Sequence, residues 1–211
     1  VSTEKAIMPK SPAYLWFDAE FTSLDLDHAS FIQVALMATD AELNRLLPGE
    51  EDLNLYLQLG DDVEVSEWVQ TEIPEIVEAA RSPQAVNVAE AEKRILAYIE
   101  KAVGPNPESV SDRPLLAGNS IHNDWHIARR LMPDFIARCH YRLVDVSMLK
   151  VQWQDTRNAP AGLIDKDDPE WVKQWFPSAA FHGLTRAHDA HYDIQASAAE
   201  LAFYRSEWLG N

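Results

Sequence analysis

A single cysteine, Cys139, stands in 211 residues, so no intrachain disulfide can staple this chain and no cysteine-rich zinc knot can organise it. Long apolar runs are missing as well. No stretch approaches the about 18 residues that a membrane-spanning helix requires. The opening Val1-Ser2-Thr3-Glu4-Lys5 lacks the apolar centre of a secretory leader, so a cytoplasmic location is expected. Basic residues are in deficit: 18 Lys and Arg face 34 Asp and Glu, a formal charge of −16. Such a surface repels long duplex DNA, whose binding depends on many Lys and Arg displacing counterions. A short nucleic acid with few phosphates, or a site built around cations, remains compatible. With 46% hydrophobic residues the chain is not globally disordered and has ample length for a packed core.

Residues 1–12 form a polar lead-in, an N-terminal extension to a domain over 13–211. Ala13-Tyr14-Leu15-Trp16-Phe17 reads as a buried central strand, and Phe31-Ile32-Gln33-Val34-Ala35-Leu36-Met37 as a second. Leu53-Asn54-Leu55-Tyr56-Leu57-Gln58-Leu59 alternates with period two, as a half-exposed strand does. Asp40-Ala41-Glu42-Leu43-Asn44 is expected to turn the second strand into the third. Ala91, Ile95, Leu96, Ile99 and Val103 fall at helical spacing, and Gly104-Pro105 ends that helix. Short strands at 115–117 and 142–146 alternate with helices at 123–131 and 148–153, the latter with Ser147 as expected N-cap. A final helix spans 192–208. The stretch 155–177, rich in Pro, Asp and Trp, reads as an inserted loop or lid, and its Asp165-Lys166-Asp167-Asp168 as solvated. A hairpin followed by alternating helices and strands predicts an α/β fold with a mixed sheet.

The acids interrupt this pattern in three places. Asp18 and Glu20, two apart at the end of an apolar strand, point to one face and repel each other unless a cation intervenes. Mg²⁺ or Mn²⁺ favours such hard oxygen ligands. Asp124 sits just inside a helix that follows Gly118-Asn119-Ser120. Asp193 begins the last helix, with His188 five residues earlier. Five helical steps would turn these two side chains about 140° apart, so His188 must precede the helix if both face one site. Each element alone also fits a solvated strand end, a helix-start acid or a cap. His122 and His126 lie four apart on one helix face with no third ligand evident, which favours surface roles.

Together, D-x-E at a strand end, a mid-chain helical Asp and H-x-A-x-x-D resemble the DEDD-type 3′→5′ exonucleases with a catalytic histidine, and most closely the oligoribonuclease family. Met37-Ala38-Thr39-Asp40, Glu67-Trp68, Gly118-Asn119-Ser120-Ile121, His140-Tyr141-Arg142 and Ala199-Glu200-Leu201-Ala202-Phe203-Tyr204-Arg205 extend the resemblance over about 14–205. Gln33 stands where many relatives carry Glu, and His122-Asn123 replaces the family's Cys-Gln.

The resemblance implies a ribonuclease-H-like mixed sheet flanked by helices. It implies that Asp18, Glu20, Asp124 and Asp193 hold two divalent ions, Mg²⁺ or Mn²⁺, with His188 as general base. Leu24 and Trp68 match the residues that hold terminal bases. Ser120, Arg142 and Ser147 would meet the 5′-phosphate of a dinucleotide, and Tyr141 would reach across a homodimer interface. The implied activity is 3′→5′ hydrolysis of short single-stranded RNA, down to dinucleotides, to nucleoside 5′-monophosphates. Two alternatives stand beside it: an exonuclease acting on single-stranded DNA or RNA 3′ ends in proofreading or RNA maturation, and a nucleotide-binding scaffold without hydrolysis. No membrane or duplex DNA partner is expected.

Overall fold

A computed structural model describes residues 12–157, 163–182 and 184–209; all but the last residue of the expected extension 1–12 lies outside them. The first strand, β1 (Tyr14–Phe21), is apolar on both faces because it is central. Leu15 and Phe17 point into one core cluster, Tyr14 and Trp16 into another. Antiparallel to it lies β2 (Phe31–Thr39), buried throughout, and beyond that β3 (Leu53–Tyr56) at the sheet edge. On the other side β4 (Leu115–Gly118) and β5 (Leu143–Asp145) run parallel, giving the order β3-β2-β1-β4-β5. The mixed α/β sheet expected from the sequence is present.

Helices cover both faces. The short pair α1 (Glu67–Glu72) and α2 (Pro74–Ala80) packs Val69, Ile73 and Ile76 with Ile32 of β2. Asn87 caps α3 (Val88–Val103), which buries Ile95, Tyr98 and Ile99 against the Leu15–Phe17 face. With it pack α4 (His122–Leu131), through Ile127, and α5 (Pro133–Arg138), through Phe135. The Trp16 face is covered by α6 (Val146–Thr156), α7 (Pro169–Trp175) and the long α8 (Ala190–Leu209).

Three local expectations change. The turn at Asp40 forms, its carboxylate accepting from the Glu42 and Asn44 N–H groups, and β3 starts at Leu53 as expected but ends at Tyr56, short of Leu59. Between turn and strand the chain makes a detour through Pro48, which cannot donate to a ladder, and buries an Arg45–Asp52 ion pair at 2.7 Å. The N-cap of α6 is Asp145, not Ser147: its Oδ1 accepts from the Ser147 N–H at 3.0 Å. The stretch 155–177, expected to be irregular, contains α7. Trp171, Val172, Trp175 and Phe176 pack in the α8 cluster, which apolar side chains at helical spacing make favourable.

Gly118 ends β4 where β1 continues toward Asp18. A Cβ there would lie 2.8 Å from the Phe17 carbonyl oxygen, so only glycine permits this approach. Gly118→Ala is expected to destabilise the fold by about 1–3 kcal/mol in chemical denaturation. An unchanged midpoint would mean that the two strands can separate freely.

Candidate active site

The pairing of β1 with β4 ends at Trp16 and Ala117, and β1 runs on alone on that side. Asp18 and Glu20 therefore stand beyond the end of the neighbouring parallel strand, in the crevice where open α/β sheets place their ligands. They share the Tyr14–Trp16 face, which is the face that α8 covers, so Asp193 in the first turn of α8 meets them. A bulge between Glu20 and Phe21 ends the regular pairing with β2. The loop after β4 turns through Ser120 and sends α4 back with Asp124 in its first turn. The result is one cleft of about 680 Å³ lined by Asp18, Glu20, Asp124, His188 and Asp193, with Leu24, Trp68 and Ser120.

Glu20 and Asp124 are buried, while Asp18 and Asp193 keep part of their surface open. Burial is the main force on all four, disfavouring their charged forms. It pushes Asp18 well above the usual carboxylate range, and the charges of Asp124, Asp193 and Glu20 push further. Burial, then Asp193 and Asp189, moves Glu20 to about 8. Asp124 is raised well above its ordinary value, chiefly by burial, with backbone N–H groups pulling the other way. Asp193 is raised to about 7 by burial, against the His188 N–H it accepts. Asp124 Oδ1 is buried with no hydrogen-bond partner. A buried, unpartnered carboxylate oxygen beside three more acids suits a hard divalent cation. Ligand atoms of Glu20, His188 and Asp193 lie within 4.8 Å of one another.

His188 lies just before α8, as the helical arithmetic requires, in the left-handed region at φ 63°. That conformation costs about 1–3 kcal/mol for a residue with a Cβ. Its N–H donates to Asp193 Oδ2 at 2.8 Å, which pins the turn to the acid it serves. The imidazole is half-exposed, its Nδ1 4.0 Å from Glu20 Oε1 and its ring edge-on to Trp68 at 5.0 Å. Asp189 caps α8 by accepting from the Tyr192 N–H, and receives Gln33 Nε2 at 3.0 Å. Gln33 also donates to Asn54 and accepts from the Ala190 N–H. An ionised Glu at 33 could not donate to these two oxygens, so Gln33 suits its neighbours Asn54 and Asp189 in this chain.

Leu24, 85% exposed, and Trp68, 50% exposed, form the lips of the cleft. Ser120 lines it at φ 49°, its N–H donating to Asp145 Oδ1 and to Ser147 Oγ. Ser147 thus stands behind Ser120 rather than in the cleft. Tyr141 and Arg142 are not brought to it either: Tyr141 is 70% exposed, stacked on His140, with the Arg142 guanidinium over its ring. His122 and His126 turn to different carboxylates, Asp145 and Asp27, and do not form a shared site. Asp165–Asp168 is not simply solvated, since Lys166 and Asp167 line the cleft and Asp168 caps α7. Pattern alone missed Lys166, because no periodicity tells which residue of an irregular stretch turns inward.

The RNase T exonuclease family matches residues 15–201. An oligoribonuclease of Corynebacterium diphtheriae is 32% identical over 209 residues, covering 97% of this chain and 87% of its own. One from Dichelobacter nodosus is 32% identical over 206 residues, covering 97% and 99%. This chain belongs to the oligoribonuclease family of exonucleases. Among solved structures, exonuclease I of Methylocaldum szegediense superposes with a TM-score of 0.63 at 19% identity, over 93% of this chain and 41% of that one. The ribonuclease-H-like exonuclease fold is thus shared with proteins of much larger size. Family membership makes this chain a nuclease, and its cluster of carboxylates with a histidine suits a divalent metal.

Carboxyls raised in the folded state retain protons that the unfolded chain releases at about pH 4. Without metal, the stability they contribute is lost as pH rises through about 7 for Asp193 and about 8 for Glu20. Cations relieve that repulsion. The rise in thermal midpoint caused by Mn²⁺ is expected to be larger at about pH 8.5 than at about pH 5.5. Equal shifts at both would argue against a carboxylate cage.

Proposed function

We propose that the chain is a 3′→5′ exoribonuclease that hydrolyses short oligoribonucleotides, down to dinucleotides, to nucleoside 5′-monophosphates. The observation that carries this reading is the convergence of Asp18, Glu20, Asp124, His188 and Asp193 in a cleft whose lips are an exposed leucine and tryptophan. Asp18, Glu20, Asp124 and Asp193 would hold two divalent ions, Mg²⁺ or Mn²⁺, their formal charge of about −4 balancing two dications. Such ions supply charge stabilisation at the phosphate oxygens and an activated water. Asp18, which feels the charges of Asp124, Asp193 and Glu20, would be one of the ligands of these ions.

His188 takes the proton of the attacking water. An imidazole titrates near neutral pH, and half-exposure at the cleft mouth lets it exchange that proton with solvent. Its Nδ1 lies 4.0 Å from Glu20 Oε1, beyond direct hydrogen-bond reach, so the imidazole is not held by that acid. Hard cations prefer the oxygen ligands, which favours His188 as base over His188 as ligand. Leu24 and Trp68 wedge and stack unpaired bases, a contact worth about 1–3 kcal/mol per base and tolerant of sequence. Single-stranded ends suit this opening, and the acidic surface disfavours duplex DNA.

Ser120, supported by Ser147, would meet the 5′-phosphate of a dinucleotide. Tyr141 and Arg142 lie outside the cleft of their own chain, so their role requires a second copy. Exposed Tyr141, Met148 and Val151 give an apolar surface for such a homodimer. Light scattering is expected to give twice the chain mass, and a monomer would remove Tyr141 and Arg142 from the site.

Assays with Mn²⁺ and a 5′-phosphorylated diribonucleotide are expected to release mononucleotides, with rates falling steeply beyond about five residues. Asp18→Ala should lower kcat by about 10²–10³-fold. His188→Ala should lower it by about 10²–10⁴-fold while leaving calorimetric metal affinity nearly unchanged. A parallel loss of metal affinity would make His188 a ligand. Greater activity on long single-stranded DNA would replace the oligoribonuclease reading with the proofreading type.

A further inference from the structure

Among the described residues lining the cleft, Lys166 is the only lysine or arginine. It comes from the segment between α6 and α7, and it is held from several sides. Its backbone carbonyl accepts from the Tyr192 hydroxyl at 2.8 Å, next to Asp193 on α8. Two residues later Asp168 caps α7, whose Trp171 and Trp175 pack on Phe203 of α8. Trp171 Nε1 also donates back to the Leu163 carbonyl. The ammonium lies 3.1 Å from Glu200 Oε2, a fully buried carboxylate.

Glu200 has other partners. Asn119 Nδ2 donates to the same oxygen at 2.9 Å, and the Tyr204 hydroxyl donates to the other at 2.9 Å. An ammonium carries three N–H donors. The ammonium is ion-paired with Glu200, and the Lys166 side chain keeps 30% of its surface open while lining the cleft. The ion pair therefore fixes the direction of the lysine without using all its donors. A nucleotide end entering this cleft brings phosphate anions toward a wall of carboxylates, and Lys166 is the fixed positive charge that wall contains.

We propose that Lys166 is a substrate contact that donates to a phosphate oxygen of the bound nucleotide, making the residues just before α7 part of the binding site. The proposal rests on the nuclease reading above. Lysine acts there as a compact point charge, which suits a phosphate whose orientation is set by other groups.

The test is the affinity of a 5′-phosphorylated dinucleotide with a non-hydrolysable scissile linkage, measured at fixed Mn²⁺ across a salt series. Lys166→Met is expected to weaken binding about tenfold or more, the effect of losing one charged hydrogen bond. The slope of log K against log salt should fall by about 0.7, one phosphate contact on a single strand. Lys166→Arg should retain affinity within about threefold, since it keeps the charge and donors. Lys166→Arg should melt near the wild-type midpoint, whereas Lys166→Met, which leaves buried Glu200 to Asn119 and Tyr204, should melt lower while the wild-type fold is retained at the assay temperature. Unchanged affinity or salt slope in Lys166→Met, with wild-type binding intact, overturns the proposal. So does a loss shared equally by Lys166→Arg and accompanied by a lower midpoint for that variant, which would make the lysine a structural partner of Glu200. Tighter Mn²⁺ binding in Lys166→Met without weaker dinucleotide binding would overturn it too, assigning the lysine to neutralising the acids. Failure of the wild-type chain to bind the dinucleotide would count against the nuclease reading itself.

Discussion

Four carboxyl groups held out of water in one cleft set the terms for the rest of this structure. Burial and mutual repulsion push all of them above the ordinary range, so the folded chain carries an unfavourable charge cluster that only protons or cations relieve. The surrounding sheet has to be stable enough to impose it. That stability comes from β1, a strand buried on both faces at the centre of five, with Trp16 and Phe17 immediately before Asp18. The acids stand at the point where this apolar strand outruns its parallel neighbour.

Of the described non-glycine residues with left-handed backbone, Leu43 lies in the turn after β2 and the other two belong to the cleft. His188 and Ser120 both have positive φ, and both line the cleft. Each is held by a carboxylate that accepts its N–H: Asp193 for His188, Asp145 for Ser120. The acid that anchors His188 is also one of the four cleft carboxylates. Any change at Asp193 therefore alters two things at once, the charge of the cage and the turn that aims the imidazole.

The segment between α6 and α8 links stability to the site in a different way. Its tryptophans join the aromatic cluster on α8, and that packing fixes where Lys166 and Asp167 enter the cleft. Glu200 lies at the junction, buried, and bonded to Asn119, Lys166 and Tyr204 from three separate elements. Asn119 in turn receives the Ser147 hydroxyl, so the loop after β4 and the start of α6 are tied to the same network.

The amino-acid order alone determined the elements with a sustained apolar run, such as β1 and β2, or a sustained helical spacing, such as α3. It also singled out Asp18, Glu20, Asp124, His188 and Asp193, through their spacing and the family resemblance together, and the structure brings all five to one cleft. Relations between distant segments were decided only by the tertiary structure. Ser147 has cap chemistry, yet Asp145 takes the cap because Ser147 faces Ser120 across the β4–β5 pair. In the acidic 155–177 stretch only Trp171, Val172, Trp175 and Phe176 carry a helical spacing, over a single turn too short to read by itself, and helix α7 forms because α8 offers an aromatic surface to bury it. Which of Asp165, Lys166 and Asp167 turns inward depends on the Tyr192 hydroxyl and on Glu200, 26 and 34 positions away in the chain. Local spacing encodes what a single element does; where two elements meet is set by packing, which no window of sequence contains.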